Sequence, residues 1–296
     1  MNASINGMAE RVREQLARPG HVIELPGCYD VLSAMVLESA GFSAVFLSGY
    51  GVAASLCGNP DIGLTTLSET VLMTRNTAAA VRVPLVVDAD NGYGNEDNVT
   101  RVVAELEAAG AAAIILEDQV LPKRCGHAAG KAVVPLAAYM RKLEAAMRVR
   151  RTPLVIVART DSPVLDDAIE RARTFQAAGA DVVLIDGLPS LEAIHRVADE
   201  VPGPKQINLI YGGKSPMLPL DELGRLGFKV VLYSTPALYV AFRAMTESMR
   251  VLQERHDLDA IAGHSASFGE FQKFLADRYA DRTGHVEPAP GPDDAE

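Results

Sequence analysis

The sequence is poor in several features, and each shortage excludes a class of protein. Its three cysteines, Cys28, Cys57 and Cys125, are too few and too scattered for a disulfide framework. A reduced, cytoplasmic protein is therefore expected. No apolar run reaches the roughly 18 residues that a membrane-spanning helix needs. The N-terminal residues are polar and lack the apolar core of a signal peptide.

Positive charge is also in short supply. The 296 residues include 28 lysines and arginines against 38 aspartates and glutamates, which gives a formal net charge of −10. Because an acidic surface repels polyanions, we expect neither nucleic acid nor an anionic membrane as a partner. The hydrophobic fraction of 48% and the charged fraction of 22% are typical of a globular protein.

A regular alternation of β-rich and helical segments runs along most of the chain. Several β-rich runs are continuously apolar, which is typical of strands buried on both faces of a parallel sheet. The helical segments between them end at glycines that supply left-handed C-caps. The predicted strands are Val22–Leu25, Ala44–Leu47, Leu85–Asp88, Ala112–Leu116, Leu154–Ala158, Val182–Ile185, Gln206–Leu209 and Val230–Tyr233.

This alternation predicts an α/β fold, a (β/α)8 TIM barrel. Two further helical segments, about Ala237–Arg255 and Ser267–Tyr279, follow the eighth strand and exceed what a barrel needs. We predict one domain over residues 1–285, including these helices, and a disordered proline-rich acidic tail over residues 286–296. The alternative is an open doubly wound sheet. Its dinucleotide-binding form is disfavoured because no Gly-x-Gly-x-x-Gly follows the first strand.

Acidic residues cluster where the active site of a barrel lies, at the C-terminal ends of its strands. Asp61, Asp88, Asp90 and Glu117 would crowd like charges into one pocket, which is costly unless a cation neutralises them. Hard oxygen ligands select Mg²⁺ or Mn²⁺, and Asp88 is the expected direct ligand. Each carboxylate alone could be a helix cap, but four on neighbouring strands favour a metal site.

The segment Lys123-Arg-Cys-Gly-His127 places a thiol between cations. Such cations would lower the pKa of Cys125 and make it a proton donor or nucleophile. Gly126 and Gly130 predict a loop that can move. The alternative is that Cys125 is a small buried apolar residue, which its polar neighbours disfavour.

Positive charge and donors also lie near this rim. Arg159 ends an apolar strand and could hold a substrate carboxylate bidentately or form a structural ion pair with the acidic cluster. The hydroxyl of Ser48 and the amides of Gly49 and Tyr50 could form an anion nest. The amide of Asn208 could donate to a ligand.

These motifs resemble the isocitrate lyase and phosphoenolpyruvate mutase superfamily over about residues 20–245. The short chain is similar to the branch of 2-methylisocitrate lyase, 2,3-dimethylmalate lyase and petal death protein. The motifs that carry the resemblance are Asp88-Ala-Asp-Asn-Gly-Tyr-Gly-Asn95, Glu117-Asp-Gln119, Lys123-Arg-Cys-Gly-His127, Pro60-Asp-Ile-Gly63 and Gly212-Gly-Lys-Ser-Pro216.

The resemblance implies Mg²⁺ at Asp88, a gating loop over residues 119–131, and a homotetramer built as a dimer of helix-swapped dimers. It implies Asp61, Asp90 and Glu117 in the outer shell of the metal. The expected catalytic residues are Cys125, Lys123, His127 and Arg159. The expected substrate contacts are Ser48, Gly49, Tyr50, Gly126, Arg159, Asp186 and Asn208.

The activity implied is magnesium-dependent cleavage of a 2-hydroxy di- or tricarboxylate to an α-keto acid and a second carboxylic acid. Cys125 would protonate the carbanion that forms. Phosphonomutase and oxaloacetate hydrolase or decarboxylase activities stay open, as does the general base. Asp186 and Asn91 stand where related lyases often have Glu and Thr, so the exact substrate is open. A non-catalytic scaffold is disfavoured by the full set of polar rim residues.

Overall fold

The computed structural model describes residues 2–284 of the chain. Within them, parallel strands form a closed barrel in which each strand pairs with the next and the last pairs with the first. This confirms the predicted (β/α)8 barrel. The strands are β1 (Ile23–Cys28), β2 (Val45–Leu47), β3 (Leu85–Asp88), β4 (Ala113–Glu117), β5 (Val155–Thr160), β6 (Val182–Ile185), β7 (Lys205–Asn208) and β8 (Phe228–Tyr233).

The helices that connect successive strands cover the outside of the barrel, so its strands are buried on both faces. Every residue of β3, β4 and β5 is buried, which explains why these strands read as continuous apolar runs. The helices are α1 (Asn2–Ala17), α2 (Val31–Ser39), α3 (Gly49–Cys57), α4 (Leu67–Ala80), α5 (Glu96–Ala109), α6 (Leu136–Val149), α7 (Leu165–Ala177), α8 (Leu191–Glu200), α9 (Leu220–Arg225), α10 (Pro236–Arg255) and α11 (Phe268–Thr283).

Two helices near the N-terminus are not anticipated by the sequence patterns. Helix α1 contributes Ala9 and Val12 to the apolar core formed by the inward side chains of the strands. Helix α3 begins directly after β2, and Gly49 and Gly51 give its first turn a low helix propensity. It forms because the Ser48 hydroxyl accepts the backbone N–H of Gly51 and caps its N-terminus.

The chain divides into two compact units, residues 1–238 and residues 239 onwards. The first unit contains the barrel, and the second contains most of α10, a 3-10 turn at Asp259–His264 and α11. A single domain over 1–285 and helix swapping both stay predictions, and the tail predicted for 286–296 lies outside the described residues. Within residues 2–284, no helix is long and apolar enough to cross a membrane.

Candidate active site

Most of the predicted site residues meet at the C-terminal rim of the barrel. Asp88 ends β3 and Glu117 ends β4, where it pairs in register with Arg159 of β5. Asp186 directly follows β6, and Asn208 ends β7. All five side chains are nearly buried. The C-terminal ends of parallel strands lie at the same end of a barrel, so residues that are distant in sequence become neighbours there.

A lysine lies among the acidic residues of this rim. The side chain of Lys123 is 2% exposed, and its Nζ donates a hydrogen bond to Asp90 Oδ1. The same nitrogen lies 3.1 Å from Asp61 Oδ1 and 4.0 Å from Glu117 Oε1. Burial lowers the pKa of Lys123, but these carboxylates raise it well above its usual value, so the side chain is an ammonium.

The remaining carboxylate of the cluster, Asp88, accepts the backbone N–H of Asp90 at 3.1 Å. Burial raises the pKa of Asp88 to about 6, with a smaller contribution from Asp90. Burial also raises the pKa of Glu117 well above its usual value. Both carboxylate oxygens of Glu117 are buried and accept no hydrogen bond, although they lie near the cations Lys123 and Arg159. Such unpartnered oxygens are costly unless water or a cation reaches them.

The donor set fits a hydrated Mg²⁺ or Mn²⁺. Within the described residues, no group of three His, Cys, Asp or Glu side chains is arranged to hold an ion directly. Mg²⁺ does not require one, because it binds through one or two carboxylates and keeps several waters. Asp88 is available as the direct ligand, and the two unpartnered oxygens of Glu117 are acceptors for metal-bound water.

Arg159 is held in place by carboxylates on three sides. Its Nε and Nη2 donate to the two oxygens of Asp161 at 2.8 and 3.0 Å. Nη2 also lies 2.8 Å from Asp186 Oδ2 and 3.2 Å from Glu117 Oε2. The ion pair considered from the sequence is therefore present, with a planar fork that these contacts orient towards the rim.

Asp186 is the point where donors from several elements converge. Arg159 pairs with Oδ2, and the Asn208 amide donates to Oδ1 at 3.0 Å. His127 Nε2 lies 3.4 Å from the same Oδ1. Burial raises the pKa of Asp186, but Arg159, His127 and Lys131 outweigh it and hold that pKa well below the usual range. The carboxylate of Asp186 thus holds the neighbouring cationic and amide side chains in position around the rim.

His127 comes from the segment that carries Cys125. Its Nδ1 accepts the backbone N–H of Lys214 at 2.9 Å, so a neutral ring carries its proton on Nε2, towards Asp186. The Nζ of Lys214 also donates to the carbonyl of Ala128, the residue after His127, at 2.7 Å. The connection between β7 and α9, which contains Lys214, therefore holds the predicted gating loop on the rim.

The Cys125 loop, residues 119–134, closes against the acidic rim. It leaves β4 and returns beside its own start, with Gln119 and Val133 paired in an antiparallel bridge. At Gly126 a Cβ atom would collide with Asp186 Oδ2 and lie 2.6 Å from Arg159 Nη2. Only glycine permits this close approach, which brings the neighbouring Cys125 to the site.

The predicted effect of the cations on Cys125 is wrong. Burial is the largest influence on this thiol and raises its pKa, and the carboxylate of Asp186 raises it further. Lys123 does not counter this, because its ammonium is directed into the carboxylates. The thiol is therefore protonated at neutral pH, the form that a proton donor requires. Burial also raises the pKa of Cys28 to about 12, as expected of a buried structural cysteine.

The N-terminus of α3 occupies the place of the predicted anion nest. A Cβ at Gly49 would lie 2.9 Å from Asp88 Oδ2, so the first turn of the helix packs directly against the expected metal ligand. Ser48 is buried and uses its hydroxyl as the cap, while Tyr50 is half-buried beside it. The partial positive charge of a helix N-terminus favours an anion here.

Some residues of the site are not identified from the sequence. Asp161 orients Arg159, and Lys131 donates to Asp161 at 3.0 Å. Ser234, after β8, donates to Asn208 Oδ1 at 2.6 Å and so directs the amide nitrogen towards Asp186. Asp161 and Ser234 could have been found by their position directly after strands. Lys131 had no signal beyond its place in the loop.

A family model described as phosphoenolpyruvate phosphomutase matches residues 12–253. The chain belongs to this family. It is 37% identical to 2,3-dimethylmalate lyase of Eubacterium barkeri, over 90% of this chain and 93% of that protein. It is 40% identical to 2-methylisocitrate lyase of Aeropyrum pernix, over 84% of each chain. The predicted enzyme class, a carbon–carbon lyase of the isocitrate lyase and phosphoenolpyruvate mutase superfamily, is confirmed by these relatives.

Solved structures of the superfamily share the fold. Oxaloacetate acetylhydrolase in complex with 3,3-difluorooxalacetate superposes with a TM-score of 0.87 at 30% identity, covering 96% of this chain and 99% of that one. Phosphonopyruvate hydrolase, solved with oxalate and Mg²⁺, has a TM-score of 0.82 at 26% identity, covering 93% of this chain and 96% of that one. A divalent metal is thus present in a structure of the superfamily.

Proposed function

We propose that this enzyme uses Mg²⁺ or Mn²⁺ to cleave a 2-hydroxy di- or tricarboxylate, of the 2-methylisocitrate or 2-alkylmalate type. The products are an α-keto acid and a second carboxylic acid. The observation that carries the proposal is the pairing of two environments on one rim. The buried acidic cluster, in which both oxygens of Glu117 accept no hydrogen bond, lies on one side, and the donors around Asp186 lie on the other, beneath the Cys125 loop.

The first environment would hold the metal. Asp88 is the proposed direct ligand, with Asp61, Asp90 and Glu117 accepting hydrogen bonds from its waters. When bound, the ion supplies positive charge that stabilises the oxyanion developing on the keto-acid fragment. Lys123 orients Asp61 and Asp90 through the contacts already described and keeps the cluster from carrying an excess of negative charge.

The second environment would hold the substrate carboxylates. Asp161, Asp186 and Glu117 already engage Nε and Nη2 of Arg159, so a substrate would be reached through Nη1. Asn208, His127 and the backbone amides at Gly49 and Gly126 are further proposed donors. Because the guanidinium is oriented before substrate arrives, little ordering is needed on binding.

Cleavage is a retro-aldol step. A base removes the proton of the 2-hydroxyl group, the C2–C3 bond breaks, and its electron pair remains on C3, next to the second carboxylate. The Cys125 thiol gives its proton to C3, and after the products leave the proton that the base removed returns to the thiolate through solvent. The raised pKa of Cys125 supports the acid role, because the donor must be protonated when the bond breaks.

Hydrolysis of oxaloacetate is a second candidate. The oxaloacetate acetylhydrolase structures superpose closely, with TM-scores of 0.87 and 0.85. In that reaction water adds to the C2 carbonyl before the C2–C3 bond breaks, and the carbanion is again protonated. The same site could therefore serve both reactions, with the difference at C2.

Product identification tests these alternatives. The enzyme with Mg²⁺ should be incubated separately with 2-methylisocitrate, 2,3-dimethylmalate, oxaloacetate and phosphonopyruvate. The proposal expects pyruvate from one of the first two, measured by coupled reduction with lactate dehydrogenase and by proton NMR. Oxalate and acetate from oxaloacetate alone would establish the hydrolase. Turnover of phosphonopyruvate alone, followed by phosphorus NMR, would establish phosphonate chemistry.

A further inference from the structure

Behind the active-site rim lies a buried arginine, Arg171 of α7, with 7% of its surface exposed. Its Nη1 lies 3.2 Å from Asp118 Oδ2 and donates to the carbonyl of Val134 at 3.1 Å. Its Nε donates to Asp167 Oδ2, one turn earlier on the helix, at 2.7 Å. One guanidinium therefore joins α7, the end of β4 and the returning arm of the Cys125 loop.

Asp118 connects this arginine to the active site. It is 1% exposed, and its Oδ1 accepts the backbone N–H of Asp161 at 2.9 Å. Its Oδ2 also accepts the Thr160 hydroxyl at 2.6 Å. Asp161 in turn holds the fork of Arg159 through two hydrogen bonds. A series of direct contacts thus runs from Arg171 to the proposed substrate-binding guanidinium.

The same pair holds the base of the Cys125 loop. The backbone N–H of Val134 donates to the carbonyl of Asp118 at 2.9 Å, and the carbonyl of Val134 accepts from Arg171. Val134 is therefore hydrogen-bonded through both its backbone N–H and its carbonyl. It adjoins the bridge between Gln119 and Val133, which closes the loop.

We propose that Arg171 and Asp118 are positioning residues for the reaction: together they orient Arg159 through Asp161 and anchor the stem of the Cys125 loop. The inference rests on the proposed function for the roles of Arg159 and Cys125. Neither Arg171 nor Asp118 is expected to touch substrate. Their effect passes through the geometry of other groups, and a displacement of about 1 Å in such groups can cost about 10²-fold in rate.

A purely structural ion pair would make a different prediction. Loss of such a pair lowers the stability of the fold while the protein that remains folded works normally. Positioning instead changes substrate binding, turnover and the accessibility of Cys125 in protein that is fully folded. The test must therefore compare folded variants by measurements other than stability.

The variants are Arg171→Lys and Arg171→Gln, with Arg173→Gln as the matched control. The lysine variant keeps a positive charge that can approach Asp118 and the Val134 carbonyl, but it loses the rigid guanidinium and its second donor, Nε, to Asp167. Arg173 lies on the same helix with its side chain 52% exposed, and it donates to the carbonyl of Glu200 at 2.6 Å, away from the rim. We expect Arg173→Gln to behave like the unmodified enzyme.

Three measurements are made on each folded variant. Steady-state kinetics should show kcat/KM reduced about 10²-fold in Arg171→Gln and by a smaller factor in Arg171→Lys, which partly restores the geometry. Titration calorimetry with oxalate and Mg²⁺ should show weaker oxalate binding, which reports on Arg159. Alkylation of Cys125 by iodoacetamide, read by peptide mass, should accelerate about tenfold as the loop opens more often.

Unchanged kinetics, oxalate binding and Cys125 alkylation in a folded Arg171 variant would overturn the proposal. If no substrate is turned over by the unmodified enzyme, the proposed function fails, while alkylation still tests the anchoring of the loop. If neither Arg171 variant folds, hydrogen exchange in the unmodified protein decides. The amide of Val134 should exchange at least about tenfold more slowly than that of Ala129 at the loop tip, and equal rates would overturn the anchoring.

Discussion

Replacement of Lys123 by glutamine should show how strongly the acidic cluster depends on a cation. The substitution removes one buried positive charge and leaves Asp61, Asp90 and Glu117 facing one another. Glutamine is one side-chain atom shorter than lysine and keeps a polar donor that faces Asp90. The change therefore removes the charge at a small cost in packing.

The size of the effect follows from burial. Removing one partner of a buried ion pair typically costs about 3–5 kcal/mol. The side chain of Lys123 is 2% exposed and that of Glu117 is 1% exposed, so solvent screens this cluster little. For a chain of this size each kcal/mol corresponds to about 2–4 °C in Tm. We therefore expect Lys123→Gln to melt about 6–20 °C below the unmodified protein in metal-free buffer.

Added Mg²⁺ should recover much of this loss. With a like charge removed from beside the site, the ion binds Lys123→Gln more tightly. Binding at one hundred times the dissociation constant contributes about 2.7 kcal/mol, or about 5–11 °C in Tm. The assay is differential scanning fluorimetry in EDTA and in increasing Mg²⁺.

Lys205→Gln is the matched control for that assay. Lys205 is also buried, but its ammonium donates to the carbonyls of Val201 and Gly203, at the opposite end of the barrel strands. Its loss should lower Tm, and Mg²⁺ should raise that Tm only as much as it raises the Tm of the unmodified protein. The reasoning is refuted if Lys123→Gln melts with the unmodified protein in EDTA, or if Mg²⁺ raises Tm equally in both lysine variants.

Other changes test the remaining roles. Arg159→Lys keeps the charge but loses the fork held by Asp161, so kcat/KM should fall about 10²-fold with the fold intact, and unchanged kinetics would show that the fork is not used. Cys125→Ser should reduce lyase kcat by roughly 10²–10⁴ while substrate and metal still bind, and near-full turnover would exclude the acid role. Because burial raises the pKa of the Cys125 thiol, its alkylation rate should still be rising with pH above about 9, whereas a plateau below the usual pKa would contradict the burial found here. Light scattering should report a homotetramer, and a monomer at all concentrations would contradict the expected assembly.

The barrel could be predicted because its strands are buried on both faces and its helices carry clear stop signals. The bounds of β3 and β6 coincide with those expected from apolar runs, and Gly110 ends α5 in the left-handed conformation expected of a C-cap. Helix α3 was missed because its glycines have low helix propensity, which the cap at Ser48 and the burial of Val52 and Ala53 override.

The rim residues could be identified from the sequence, but the direction of their side chains could not. Lys123 and Cys125 are two residues apart, yet the ammonium is directed to carboxylates that follow other strands, while the thiol is half-buried within the loop. The pKa of Cys125 therefore moves against the expectation from neighbouring residues. Asp118 and Arg171 illustrate the same limit, because their partners come from elements that only the fold brings together.

The central claim is that a divalent metal bound through Asp88 enables cleavage of a 2-hydroxy acid. It is tested most directly by pyruvate release from 2,3-dimethylmalate or 2-methylisocitrate, whichever is turned over, in exhaustively chelated enzyme to which Mg²⁺ is then added. We predict no release before addition, full recovery afterwards, and no recovery in folded Asp88→Asn at the same Mg²⁺ concentration. Pyruvate release in the chelated enzyme, or an undiminished response of Asp88→Asn to Mg²⁺, would contradict the account.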